Sequence, residues 1–142
     1  LMGYMTWAPL DEVRALSIKT ARDDIVRHDN ISVTLRYGDG SLGTLIYTSL
    51  GDPACSKERF ELFGGGRVAV LDNFRKLTVM SDGCRTVHRH FRQQKGHKEE
   101  LLAFVQSIMT GEAEPISFDD ICSTTEATFR IAESLQRGNG RI

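Results

Sequence analysis

Alternation of apolar and polar residues is clearest at Asn30–Tyr37, where Ile31, Val33, Leu35 and Tyr37 fall on one side and Ser32, Thr34 and Arg36 on the other. A period of two predicts a strand with one buried and one wet or partner-facing side. Gly38-Asp39-Gly40-Ser41 follows, and Asp-Gly between alternating runs is a strong hairpin signal. The return strand, Gly43–Leu50, carries Leu45 and Tyr47 on one face and Ile46 and Leu50 on the other, which predicts a central strand covered on both sides. Upstream, Val13, Ala15, Leu16 and Ile18 mark a strand over Glu12–Lys19 that the charged stretch Thr20–Asp24 breaks. Residues 1–11, with Trp7 and Pro9, have no periodicity and are a lead-in segment.

The stretch Lys57–Met80 predicts a three-stranded antiparallel meander. Two short alternating runs, Arg59–Phe63 and Arg67–Leu71, flank Gly64-Gly65-Gly66, and a third, Phe74–Met80, follows Asp72-Asn73. Glycine tolerates the positive φ of a tight reversal, and Asp-Asn is the next best pair. After Ser81-Asp82-Gly83 one more strand runs over Arg85–Phe91, with enough charge for an edge or a wet face.

The pattern then changes period. From His97 to Met109 the apolar positions Leu101, Phe104, Val105 and Ile108 recur at helical spacing, and Gly111 stands where a C-terminal cap belongs. Ser117 is a suitable N-cap for a second helix, with Asp119 and Asp120 in its first turn, an apolar face through Ile121, Phe129 and Leu135, and Gly138 as its stop. Strands first and helices last is the α+β pattern. The expectation is an open antiparallel sheet of about six to seven strands with two C-terminal helices packed on one face, residues 12–142 forming one domain.

Composition narrows the partners. The 142 residues are 40% hydrophobic and 26% charged, with a net charge of −1, so the chain as a whole has no electrostatic reason to bind nucleic acid or an anionic membrane. Any polyanion must meet a local patch. No apolar run is long enough to span a bilayer, and LMGYMTWAP lacks the charged start and apolar core of a secretory signal, which points to the cytoplasm. Cys55, Cys84 and Cys122 are odd in number and widely spaced, so neither a disulfide framework nor a CxxC zinc knuckle is expected.

Little in the sequence forms a catalytic set. Gly64-Gly65-Gly66 leads into a second strand, whereas phosphate cradles of the nucleotide type need a strand, a G-x-G-x-x-G run and a helix in that order; no stretch shows that order. Cys84, His88 and His90 share one side of a strand and are of zinc-binding type, yet their spacing matches no named zinc pattern, and no metal site is expected. The acids Glu58, Glu61 and Asp72 are expected as sheet-surface partners of Lys57, Arg59 and Arg75. Lys95-Gly96-His97 stands at the junction of the last strand and the first long helix. There a glycine permits close approach of a ligand, a histidine can donate a hydrogen bond or move a proton, and a lysine can meet an anion.

Three collinear stretches, DNISVTLRYGDGSLGTLIYTSLGD, KERFELFGGGRVAVLDNFRKL and KGHKEELLAFVQSIMTGEAEPISFDDICSTTEATFRIAESLQRG, resemble the C-terminal domain of the Gfo/Idh/MocA oxidoreductases, the glucose-fructose oxidoreductase and inositol dehydrogenase family. The closest flavour is a subgroup in which that module follows a zinc alcohol-dehydrogenase-like region on one chain. The resemblance covers about residues 12–140 and implies a substrate and dimerisation domain, with a homodimer formed through the open sheet face. It further implies a sugar, sugar nucleotide or cyclitol as small-molecule substrate, and NAD or NADP held by a separate Rossmann domain with the family's E-K-P lysine. Without that domain the chain is expected to be inactive. The family's D-x-x-x-H motif is not reproduced in its surroundings by Asp11, Asp23, Asp24 and His28, so no catalytic residue carries over. Lys95, Gly96 and His97 match a K-G-H element of the subgroup and become substrate-binding candidates, with Tyr47 and Lys57 weaker ones. The competing expectation is a non-catalytic module that associates through its sheet.

Overall fold

The structure, a computed structural model, describes residues 2–139; Leu1 and residues 140–142, the outer ends of the lead-in segment and of the 12–142 domain, lie outside the described residues. The fold is α+β: seven antiparallel strands and two long helices. The strands are shared between a three-stranded and a four-stranded sheet, in two compact units, Leu1–Gly51 with Ile116–Ile142, and Asp52–Pro115. No helix among the described residues is long and apolar enough to cross a membrane.

In the first unit a short helix α1 (Met2–Thr6) precedes β1 (Leu10–Ser17), β2 (Asn30–Tyr37) and β3 (Leu42–Thr48), hydrogen-bonded in the order β1-β2-β3. The register sets Val33 between Ala15 and Leu45. The alternation of β2 is kept: Val33, Leu35 and Tyr37 are buried while Ser32, Thr34 and Arg36 are exposed. Val33, at 0% exposure, centres a core of Ala15, Leu35, Tyr37 and Leu135.

Leu135 comes from α3 (Phe118–Asn139), which packs on β1. Ser134 Oγ accepts the Ala15 N–H at 2.8 Å, and the Arg130 guanidinium donates to the carbonyl oxygens of Leu10 and Asp11. Gly138 does not stop this helix. A Cβ there would lie 3.4 Å from both the Ala15 oxygen and Leu16 Cδ2, so the glycine serves the approach of helix to strand. The Gly38–Ser41 reversal is a β-hairpin, with Gly40 at φ +86° and Asp39 accepting from the Ser41 N–H and hydroxyl. Those hydrogen bonds, the backbone one first, hold the Asp39 carboxyl below its ordinary pKa. Residues 38–43 do have the literal G-x-G-x-x-G spacing, but they join two strands and lead to no helix N-terminus.

β3 departs from the expected central strand covered on both sides. It pairs only with β2, and Ile46 and Tyr47 are 73% and 54% exposed. The physical reason is the break after Leu50: the next strand builds the other sheet, so β3 ends the first one as an edge.

The second unit is a meander, β4 (Arg59–Gly64), β5 (Arg67–Asp72), β6 (Lys76–Ser81) and β7 (Cys84–Arg89), followed by α2 (His97–Thr110). Gly65 and Gly66, at φ +55° and +70°, make the two-residue mirror-image turn that suits the right-handed twist of a hairpin. Asp82 and Gly83 repeat it between β6 and β7. Between β5 and β6, Asn73 and Phe74 both take φ +51°, a conformation that costs a bulky residue about 1–3 kcal/mol. Phe74 is held there by an edge-on contact with Phe60, ring centroids 5.6 Å apart.

Among the described residues this unit has no buried apolar side chain; only Thr78 and Ser107 are buried. The stripe Leu101, Phe104, Val105 and Ile108 of α2 is exposed. Of the apolar face expected on α3 only Leu135 is buried, Ile121 and Phe129 being 52% and 64% exposed because that helix meets its sheet only near its C-terminal end. β7 is the expected edge, exposed throughout. Cys84 and His88 lie in it and His90 follows its end; among the described residues no three His, Cys, Asp or Glu side chains group as metal ligands. All three cysteines are free and exposed.

Candidate functional site

The strained turn at Asn73–Phe74 is also where three segments of the second unit meet. The loop before β4, the turn itself and the segment after β7 border an open surface groove of about 640 Å³ lined by Pro53–Lys57, Asn73, Arg75, Phe91–Gln93 and Lys95. Backbone hydrogen bonds fasten them: Asn73 N–H to Glu58 O at 2.7 Å, His90 N–H to Arg75 O at 2.8 Å and Gln94 N–H to Phe74 O at 3.0 Å. Side chains add two more ties, Gln93 Nε2 donating to Asn73 Oδ1 at 2.5 Å and the Arg75 guanidinium donating to Phe91 O at 2.9 Å. The backbone is thereby committed to shaping the groove while side-chain donors remain for a ligand.

Its charge is one-sided. Lys57, Arg75, Arg92 and Lys95 line the groove with no carboxylate among the lining residues. Lys95 is the one of the four with an ion-pair partner among the described residues: its Nζ lies 2.6 Å from Glu58 Oε1 and 5.9 Å from the centre of the Phe74 ring. Glu58 Oε2 is buried without a hydrogen-bond partner among the described residues. Chemically the arrangement can attract and orient an anion. The lining offers a single thiol, Cys55, and no histidine or carboxylate to move a proton, so it is equipped for binding rather than bond making.

Of the residues expected from the sequence, Lys57 and Lys95 come together in this groove. Gly96, at φ +79°, caps the start of α2, and His97 is the first residue of that helix, exposed. Tyr47 belongs to β3 in the other unit, opposite Ile31. Glu61 pairs with Arg59 at 2.6 Å as expected, but Glu58 takes Lys95 instead of Lys57, because the turn and the post-β7 segment bring Lys95 to it. Arg75, Arg92, Asn73 and Gln93 were not legible as site residues. The available signal is local charge, since residues 52–95 hold nine Lys and Arg against five Asp and Glu in a chain whose net charge is −1.

No protein-family model and no curated protein matches the sequence. Solved structures do match it. UDP-N-acetylglucosamine 3-dehydrogenase GnnA from Acidithiobacillus ferrooxidans aligns with a TM-score of 0.78 at 14% identity, over 96% of this chain and 43% of that one. An aldose-aldose oxidoreductase from Caulobacter crescentus, complexed with glycerol, aligns at 0.77 and 17% identity, over 96% and 42%. An oxidoreductase from Agrobacterium radiobacter in complex with NAD+, L-tartaric acid and magnesium aligns at 0.66 and 14%, over 94% and 42%. The likeness is one of fold. The chain spans less than half the length of each of these proteins.

Proposed function

We propose that this chain is the substrate-binding and oligomerisation part of an NAD(P)-dependent oxidoreductase of the Gfo/Idh/MocA type, acting on a sugar, sugar nucleotide or cyclitol. The observation that supports this most is the fold likeness over nearly the whole chain to a sugar-nucleotide dehydrogenase and an aldose oxidoreductase, each more than twice as long. On this reading the nicotinamide is held by a Rossmann domain of the same cytoplasmic enzyme, with or without a zinc alcohol-dehydrogenase-like region. The described residues do not fit the cofactor themselves, since their only G-x-G-x-x-G spacing forms a β-hairpin. No hydride-transfer step is therefore assigned to them; their part is shape, charge and hydrogen bonds around the substrate, Lys57, Lys95, Gly96, His97 and Tyr47 included.

The isolated 142 residues are expected to leave NADH and NADPH fluorescence unchanged, while the full-length enzyme reduces NAD+ or NADP+ with a sugar-class substrate. Tight nicotinamide binding by the isolated chain would sink the reading.

The oligomerisation part rests on apolar side chains left exposed on the strands. On the edge strand β3 alone Leu42, Ile46 and Tyr47 are 69%, 73% and 54% exposed, a row of apolar side chains on an unpaired edge of the kind a second strand covers. A dimer is expected by light scattering at micromolar concentration, and a monomer would overturn this part. The same surfaces support a second reading, a non-catalytic module that associates through its sheet. A full-length protein without nicotinamide turnover on any sugar class would favour it.

A further inference from the structure

Resting on the oxidoreductase reading, we infer that the groove of the four-stranded unit is a phosphate-recognition site, and that the substrate is a phosphorylated or nucleoside-diphosphate sugar rather than a neutral sugar or cyclitol. Three features point to this chemistry together. The lining holds four cations and no carboxylate. Three of them, Lys57, Arg75 and Arg92, have no ion-pair partner among the described residues, and clustered like charges repel unless an anion joins them. They also stand on three separate segments, the loop before β4, the β5–β6 turn and the stretch after β7, so that charge converges from several sides.

A neutral polyol calls for a different lining. Sugar hydroxyls are held by paired donors and acceptors, in which carboxylates are the strongest acceptors, and this groove supplies an excess of donors. A phosphate or diphosphate is acceptor-only and matches that excess. Arg75 gives one of its donors to Phe91 O and keeps the others, and Gln93 is anchored by Asn73. Arg75 and Gln93 are therefore already positioned for a ligand, which lowers the ordering cost of binding at those two groups.

Isothermal titration of the full-length protein with inorganic pyrophosphate, and separately with UDP, tests the site. Both are expected to bind, with affinity falling as salt rises from about 0.05 M to about 0.5 M. Lys57→Ala combined with Arg92→Ala is expected to weaken pyrophosphate roughly a hundredfold, taking about tenfold for each charge-assisted contact. Arg85→Ala, on β7 outside the lining, is expected to leave binding unchanged. The substituted side chains are exposed, so far-UV circular dichroism should show an intact fold. Tighter binding of UDP than of pyrophosphate assigns the phosphate to a nucleotide; equal binding assigns it to a simple phosphate ester.

No heat with either probe, or the same affinity in the double variant, overturns the inference. Turnover of a neutral sugar that the double variant leaves unchanged also overturns it, while leaving the oxidoreductase reading intact. Pyrophosphate binding that depends on Lys57 and Arg92 in a protein without nicotinamide turnover supports the groove and removes only that reading.

Discussion

Asn30→Ala is expected to lower the stability of the three-stranded unit by about 2–4 kcal/mol, the range for stripping several partners from one buried polar side chain. Asn30 is 2% exposed at the start of β2, and its amide satisfies four groups at once. Nδ2 donates to Val26 O at 3.0 Å and to Ser49 Oγ at 3.2 Å, while Oδ1 accepts from Thr48 Oγ1 at 2.7 Å and from the Ser49 N–H at 3.1 Å. Its own carbonyl accepts from the Ile18 N–H at 3.0 Å. One residue thus ties the ends of β1 and β3 to β2. Alanine keeps the backbone bond and leaves the side-chain partners without their amide. Thr48→Val removes one of these bonds together with the exposed Leu50 N–H bond to Thr48 Oγ1 at 3.2 Å, and is expected to cost about 1–2 kcal/mol. Because the chain divides into two units, the readout is hydrogen exchange of the β1–β3 amides, which follows this unit alone. A loss below about 0.5 kcal/mol for Asn30→Ala, the level of an ordinary surface substitution, would show that the network is not what fastens the sheet.

Asn30 also marks how far the sequence reaches. Its place at the start of a strand is legible from the alternation that follows, since period-two patterning reports which side of a strand is buried. Its role as a hub is not, because, Val26 four residues back aside, its partners Thr48 and Ser49 meet it only after the β2–β3 hairpin closes. The same divide holds elsewhere. Gly65-Gly66 and Asp82-Gly83 are legible as turns because their residue types select the backbone. Phe74 reads as a strand residue and instead adopts φ +51°, held by Phe60 through a tertiary contact that no local pattern encodes. β3 reads as a central strand because both its faces are apolar. Pattern reports that a face calls for cover and is silent on what covers it, and within this chain Ile46 and Tyr47 stay exposed. α1 is too short for helical periodicity to register. For the groove, Lys95 was legible as a cation at the strand-to-helix junction and Lys57 as a weaker candidate from the family resemblance, whereas Arg75 and Arg92 joined them only through the folding of the meander.

Lys95 is where structural and ligand-binding roles separate by experiment. Its ammonium is shared between Glu58 Oε1, the Phe74 face and the groove, and the two side chains of the pair are 33% and 29% exposed. Lys95→Met removes the cation and leaves Glu58 with a buried Oε2 and an unpaired Oε1, which is expected to cost the four-stranded unit about 1–3 kcal/mol. On the proposed function it also raises the substrate KM of the full-length enzyme by about tenfold or more, because one charge-assisted contact is lost. Glu58→Gln acts oppositely on binding. The amide keeps an oxygen as acceptor for Lys95 while the competing negative charge is gone, so the ammonium turns more of its field toward the groove. KM is then expected to stay level or fall, with stability little changed. A purely structural pair predicts something else: both substitutions weaken it, Lys95→Met by removing the donor and Glu58→Gln by removing the charge, both loosen the Asn73–Phe74 turn, and KM rises in each or in neither. Measuring KM and kcat for the two variants beside the amide exchange of β4–β7 distinguishes the outcomes. A rise in KM for Lys95→Met, unaccompanied by one for Glu58→Gln, assigns the lysine to the ligand. Parallel changes assign it to the scaffold.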